Sequence, residues 1–337
     1  MVAKSFLVRP VTMKGLSNKL QLVIAVISLV LSTAVSSRAK PSQIVISSKN
    51  NLLQVGDPLT IRLVYKYEKP LIKPATGEIV QSFPHYAHLK VEHSEGRFPM
   101  NRFPIFPTDL TVKDSLGLEY DGQFVSLYHR GEKRVLFPTS GIYTVTVSGY
   151  SRISNPLSIT VGPASELQTR ALYLLSDPND YSLLEHGTYE DPNKRSLRIS
   201  RLNQVVEQCE GTIFAKWAAA RLGLMYFEDF HKKHPSFIKF KAEIQKNQVE
   251  EPLFDKAHTY LTAGAKLPDE FPIREKVLYQ LGRTHVIKDN YEKAFSLLDE
   301  LSAKYPKGEY GKRVSGGKEE LQRIKKPKRA NKKETAR

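Results

Sequence analysis

In the carboxyl-terminal half of the chain the hydrophobic residues recur with the period of a helix. Within VLYQLGRTHVIKDNYEKAFSLLDELSAKYP (277–306), Leu278, Leu281 and Gly282 mark one apolar face. Ala294, Leu297, Leu298 and Leu301 mark a second at i, i+3, i+4 and i+7. Asp289 and Asn290 lie between them as a turn signal and Pro306 closes the pair, so the stretch predicts a helical hairpin. A hairpin hides only one face against itself, and stacked neighbours are needed to complete a core.

Upstream the period changes to two. Leu59, Ile61, Leu63, Tyr65 and Tyr67 alternate with Thr60, Arg62 and Lys66, the pattern of a half-buried strand. Runs at 43–47, 87–93, around Thr111, and at 124–128, 133–137, 141–147 and 157–161 bring the total to seven or eight short strands between Gly, Pro, Asn and Asp turns. That spacing predicts an antiparallel β-sandwich over 42–162. Gly162-Pro163 ends the last strand, and Ser165 with Gln168 forms a capping-box signature before the stripe Leu167, Ala171, Leu174 and Leu175. After a polar loop around 178–192, a second helix runs through Leu202, Val205, Val206 and Cys209 to Gly211. Thr212 caps a third, which carries Ala215, Ala218, Ala219, Leu222, Gly223 and Tyr226. The predicted class is multidomain, all-β followed by all-α, with the helices over 163–311.

Charge changes this picture only at the ends. The chain of 337 residues carries a formal charge of +16. Residues 1–40 hold six basic residues and no acid, and residues 312–337 hold eleven against three, which leaves +2 for everything between. The folded body is nearly neutral, and the basic tail over 312–337 has too little apolar content for a core. Residues 1–39 read as a secretory signal peptide: a basic start, the apolar run LQLVIAVISLVLSTAV (20–35), and a small-x-small site at Ser37-Arg38-Ala39. The alternative is a retained membrane anchor, since 16 apolar residues are only slightly fewer than the ~20 that span a bilayer. Either reading places the body outside the cytoplasm. Met13-Lys14 makes a more usual signal start than Met1. Cys209 is the single cysteine, so no internal disulfide can form, and its place on an apolar helical stripe makes it a core residue and not a nucleophile.

Two resemblances sharpen the architecture. FPTSGIYTVTVSG (137–149) with the following NPLSITV resembles the carboxyl-terminal strands of immunoglobulin-like (Ig-like) and fibronectin-like sandwiches, with Tyr143 where their corner tyrosine hydrogen-bonds the preceding turn. The likeness implies a binding or spacing module. It departs from antibody domains in lacking their two cysteines and core tryptophan. RLGLMY (221–226) and QLGRTH (280–285) repeat one helical element that resembles helix A of tetratricopeptide repeats (TPR). The resemblance places the repeat's positions on Leu281, Gly282, His285, Ala294, Leu298, Leu301 and Pro306. In the earlier copy they fall on Leu222, Gly223 and Tyr226, with a helix B displaced to Ala257, Leu261 and Gly264. Leu222 and Leu281 are 59 residues apart, so about 25 residues around 234–248 are inserted relative to the family period. Gly282 and Ala294 are expected to let the paired helices approach closely.

Candidate binding residues follow from these elements. The resemblance puts Tyr279 and Arg283 of the later copy, and Ala220 and Leu224 of the earlier one, on the inner face of the array. Lysine and asparagine, which grip acidic tails in carboxylate-clamp repeats, are missing there. GRFPMNRFPIFP (96–107) repeats Phe-Pro and predicts a rigid loop or edge segment. Its Phe98, Phe103 and Phe106 either plug the end of the sandwich or contact a peptide or sugar ring. His85, His88 and His93 do not share one strand parity, which argues against a metal site. His231 and His234 suit the carboxyl end of a helix dipole. The chain has no phosphate-cradling glycine loop, Gly-x-Ser-x-Gly elbow, His-Glu-x-x-His or Cys-x-x-Cys. The expectation is an exported non-enzymatic scaffold, without cofactor or metal, that holds a peptide or partner protein in a TPR-like groove. A second reading is an envelope module binding carbohydrate, wall polymer or an anionic membrane surface through the Phe-Pro loop and the tail. Export argues against nucleic acid as the tail's partner. A hydrolase would require a deep polar cleft with converging acids.

Overall fold

The computed structural model describes residues 41–314 except 73–75, 77, 80–81, 84–86, 97–102, 106–109, 114, 130–133, 188–191, 236–239, 241–250 and 307. The amino-terminal segment 1–39 and the basic tail beyond 314 lie outside the described residues, as does most of the predicted insertion at 234–248. The described chain is a set of β-sheets followed by helices.

One sheet is antiparallel throughout, in the order β1 (Gln43–Ser47), β3 (Leu59–Lys66), β8 (Glu119–Ser126), β7 (Leu110–Val112) and β4 (Ser82–Phe83). The other runs β2 (Leu52–Gln54), β13 (Leu157–Gly162), β11 (Gly141–Gly149), β5 (Ala87–His93) and β6 (Phe103–Ile105), with β12 (Arg152–Ile153) folded back on β11. A short ribbon joins β9 (Tyr128–His129) to β10 (Arg134–Val135). The second sheet corrects the expectation of wholly antiparallel strands, because β2 runs parallel to β13. The alternation read from the sequence is realised physically. Ile61, Leu63 and Tyr65 of the first sheet and Val91, Tyr143, Val145 and Ile159 of the second bury into one shared core.

The backbone at two sheet edges is closed by side chains. Asn155 clamps Ile46 at the β1 edge, accepting from its amide (2.9 Å) and donating to its carbonyl (3.1 Å). On β2, Leu52 N donates to Asn50 Oδ1 (3.0 Å) and Gln54 N to Asp57 Oδ2 (2.7 Å). Side chains thus occupy donors that would otherwise template another strand.

Tyr143 fixes the turn before β11. Its hydroxyl donates to the Thr139 carbonyl (2.9 Å), and its ring meets Phe137 and His93 edge-on. Gly141 has φ 144°, and a Cβ there would lie 2.2 Å from His93 Nε2, so the turn admits only glycine. We expect Tyr143→Phe to keep the fold and lower stability by about 1 kcal/mol, the net worth of one such hydrogen bond, read as a shift in the urea midpoint at constant slope.

Seven α-helices are described: α1 (Glu166–Leu174), α2 (Pro178–His186), α3 (Arg195–Gln208), α4 (Ile213–Lys233), α5 (Pro252–Gly264), α6 (Pro272–Ile287) and α7 (Tyr291–Lys304). Ser165, Thr212 and Asn290 accept from the third amide beyond them and so start α1, α4 and α7. Asp289, at φ 58°, makes the turn between α6 and α7. Helix α2 overturns the polar loop expected around 178–192. Asp177 caps it, Pro178 occupies its first turn, and Tyr181, Leu183 and Leu184 are buried. Gln168 also departs from the capping box. Its side chain reaches across to the β part, donating to Val55 O (3.2 Å) and Asp57 Oδ1 (2.6 Å).

That reach belongs to a larger joint. Glu185, at the end of α2, accepts with one carboxylate oxygen from the amides of Leu127 and Tyr128 and from Ser126 Oγ. Tyr128 stacks on Tyr181 at 4.6 Å, and Leu127 and Tyr128 lie within the helical core. Arg221 of α4 donates to the carbonyls of Leu184 and Glu185. Burial pulls its pKa down to about 9, which leaves the guanidinium charged at neutral pH. The joint lies at the Leu59–Ser126 end of the first sheet. Residue 41 enters at the other end, where Gln43 pairs Lys66 and Lys66 pairs Glu119.

Candidate partner-binding face

Helices α4 and α5 form one close pair and α6 and α7 another. At the α4–α5 crossing the chain has no room for side chains: a Cβ on Gly223 would sit 2.6 Å from Leu261 N, and one on Gly264 2.5 Å from Ala220 Cα. Gly282 differs, since its nearest neighbour would be Leu298 Cδ2 at 3.7 Å, an ordinary contact. The close approach expected at Gly282 is therefore at Gly223 and Gly264. Ala220, expected on an open inner face, is fully buried at this crossing, and Leu224 is 9% exposed.

Between the two pairs, α4 lies beside α6. The Arg283 guanidinium rests over the Phe227 ring (5.2 Å), and its Nη1 donates to Gln280 Oε1 (3.1 Å). Tyr279, one turn earlier, packs against Tyr310 of the helical turn at 309–314 (5.1 Å). Both Tyr279 and Arg283 are half-buried. Tyr310 completes this aromatic and basic face, with Phe227 buried beneath Arg283, and neither stood out in the sequence. No feature of the sequence pointed to either of them.

The neighbouring α5–α6 surface carries two half-buried histidines. Thr284 Oγ1 donates to Leu281 O (2.8 Å), so it accepts from His258 Nδ1–H (2.9 Å), which fixes the neutral tautomer. His285 meets the His258 ring edge-on at 4.9 Å. Burial, then Lys288 and His285, pull the His258 pKa down to about 4, with Asp255 acting the other way. Burial, Lys293 and Lys288 lower that of His285. Below pH 6.5 the unfolded chain binds protons that these folded histidines refuse, so the helical part loses stability as pH falls from 6.5 towards about 4. We expect His258→Gln to flatten that decline in a series of thermal melts. An unchanged slope would assign the acid sensitivity to other groups.

The remaining candidates are dispersed. Phe98, Phe106 and His85 lie outside the described residues, as does the Phe103 side chain; its backbone opens the edge strand β6. His93 is buried, with Nδ1 accepting from Glu95 N (3.1 Å) and Nε2 on Ser140 O (3.3 Å). His88 stands on β5 opposite Pro104 and Ser148. Among the described residues, no three His, Cys, Asp or Glu side chains converge to hold a metal. Cys209 is buried at the end of α3, and burial raises its thiol pKa. His231 is exposed in the last turn of α4, and His234 pairs with Glu251 (3.1 Å). Among the described residues no helix is long and apolar enough to cross a membrane.

No family model matches the chain, and no curated protein matches it. Among solved structures, a Paenibacillus sp. cycloisomaltooligosaccharide glucanotransferase is similar over 37% of this chain and 14% of its own, at 12% identity and a TM-score of 0.24. A Listeria innocua β-glucosidase is similar over 37% and 16%, at 14% identity and 0.24. The Bacillus subtilis sporulation control protein Spo0M is similar over 40% and 55%, at 12% identity and 0.20. This chain spans less than two thirds of the length of each, and likenesses at these scores carry no argument about fold or activity.

Proposed function

We propose that the protein is an exported, non-enzymatic scaffold that binds a peptide or partner protein through the face shared by α4 and α6. The observation that carries this reading is Arg283 of α6 laid across Phe227 of α4, with Tyr279 and Tyr310 one turn away. It joins the two helix pairs into one surface rich in arginine and tyrosine, residue types that concentrate binding energy at interfaces. In the finer reading the helix pairs form a short TPR-like array, supported by Leu222-Gly223 and Leu281-Gly282 lying on neighbouring helices. The sheets form an Ig-like sandwich that positions the array, supported by the Tyr143 turn bond. The closed edges of β1 and β2 favour recognition by helices over strand addition there. Affinity capture from an envelope extract tests the reading. A partner held by the wild-type chain is expected to be lost from Tyr279→Ala/Arg283→Ala and retained by Phe98→Ala/Phe103→Ala. The reverse pattern would move the site to the Phe-Pro loop, and retention by both would remove both surfaces.

A further inference from the structure

The end of the β part where residue 41 enters carries features that neither the core nor the helical face uses. Pro41, Ser42, Glu68, Tyr150, Ser151 and Arg152 surround an open hollow of about 400 Å³. Tyr150 and Ser151, at φ 49° and 65°, form the turn between β11 and β12. Both central positions of such a turn favour Asn or Gly, so a tyrosine and a serine hold it at a cost in backbone strain. Beyond the turn Arg152 is exposed and Ile153 is 62% exposed. Lys69 is exposed nearby, and Lys66 and Lys113 share the single carboxylate of Glu119. Among the described residues, Lys66, Lys69, Lys113 and Arg152 therefore outnumber Glu68 and Glu119 at this end.

Chain length says what this end faces. The apolar run ends at Val35, six residues before Pro41, and six residues reach at most roughly 20 Å. Ser42 is fixed to the body by its amide and hydroxyl, both on Lys66 O. If the run stays in a bilayer, this end is held against the lipid surface. The helices then stand off by the length of β3, eight residues or roughly 26 Å.

We propose that the end formed by Pro41, Lys69 and the turn from Tyr150 to Ile153 is a membrane-contact face that rests on an anionic bilayer. The proposal rests on the amino-terminal run being a retained anchor. Ile153 meets the headgroup and acyl boundary, as apolar side chains do at membrane interfaces, and Arg152 and Lys69 meet lipid phosphates.

The test reconstitutes the full chain in phosphatidylglycerol and phosphatidylcholine vesicles whose acyl chains carry bromine, and reads tryptophan quenching. Trp217, the single tryptophan of the chain, is 2% exposed and serves as an internal reference. Ile153→Trp is expected to lose roughly half of its added emission, because an interfacial side chain sits within 5–10 Å of the acyl boundary. Glu292→Trp is expected to lose none. It is exposed at the start of α7, at the far end of α6 from Glu270, the residue that touches Lys49 of the β part. Arg152→Glu added to Ile153→Trp is expected to reduce quenching in these anionic vesicles. An unquenched Ile153→Trp chain that floats with the vesicles overturns the proposal alone. Equal quenching of both reporters overturns the end-on contact, and a chain that does not float overturns the contact and the retained anchor together.

Discussion

Gly264→Ala is expected to separate α4 from α5, with a stability loss of about 3 kcal/mol, at the upper end for an overpacked core site. The added methyl would lie 2.5 Å from Ala220 Cα and 2.7 Å from Ala220 N, and backbone atoms in a helix cannot move aside singly. Gly223→Ala meets the same obstacle from the other side, at Leu261 N. Gly282→Ala is expected to do the opposite. Its methyl finds only ordinary contacts, and alanine gains up to about 1 kcal/mol over glycine within a helix. Two glycines that follow leucine in the same repeated element thus give opposite signs. Urea unfolding followed by Trp217, on α4, reads both, and equal losses at Gly223 and Gly282 would refute the asymmetry.

The second large effect concerns an ion pair out of reach of water. Asp180 on α2 is 1% exposed and Arg198 on α3 is 2% exposed, with Arg198 Nη1 donating to Asp180 Oδ1 at 2.9 Å. Arg201 donates to the other carboxylate oxygen at 2.8 Å. Asp180→Ala leaves the Arg198 guanidinium buried with only the more distant Asp177 at 3.8 Å, and is expected to cost about 3–5 kcal/mol. Replacing both partners, Asp180→Leu with Arg198→Met, is expected to recover most of that loss, because no uncompensated charge remains inside. A double-mutant cycle in urea reads the coupling, and a double variant as unstable as Asp180→Ala would assign the effect to packing.

How much of this was legible in the sequence depended on whether the governing contact was local. The alternation in β3, the caps at Ser165 and Thr212, the turn at Asp289-Asn290, and the stripe of α7 are set by neighbours within a few residues, and the sequence carries them directly. Helix α2 was missed because PNDYSLLEH mixes polar and apolar residues within two and a half turns. Tyr181 stacks on Tyr128, more than fifty residues earlier, and Leu183 and Leu184 are buried in the core shared with later helices. Strand β2 has three residues and no readable period, and its parallel register comes from β13 across the chain. On the candidate face, helical spacing and the repeat resemblance pointed to Tyr279 and Arg283. Their partners Phe227 and Tyr310 were invisible, because one belongs to the preceding helix pair and the other follows the last helix.

The side-chain clamps on β1 and β2 have a consequence for the protein in bulk. Sheets whose rims keep open amides recruit one another as concentration rises, through swapped strands and then fibres. Here Asn155, Asn50 and Asp57 occupy amides at two of the rims, and Leu52, whose side chain is exposed, has its amide taken by Asn50. Removing Asn155 is expected to leave the native fold in place while making concentrated solutions turbid.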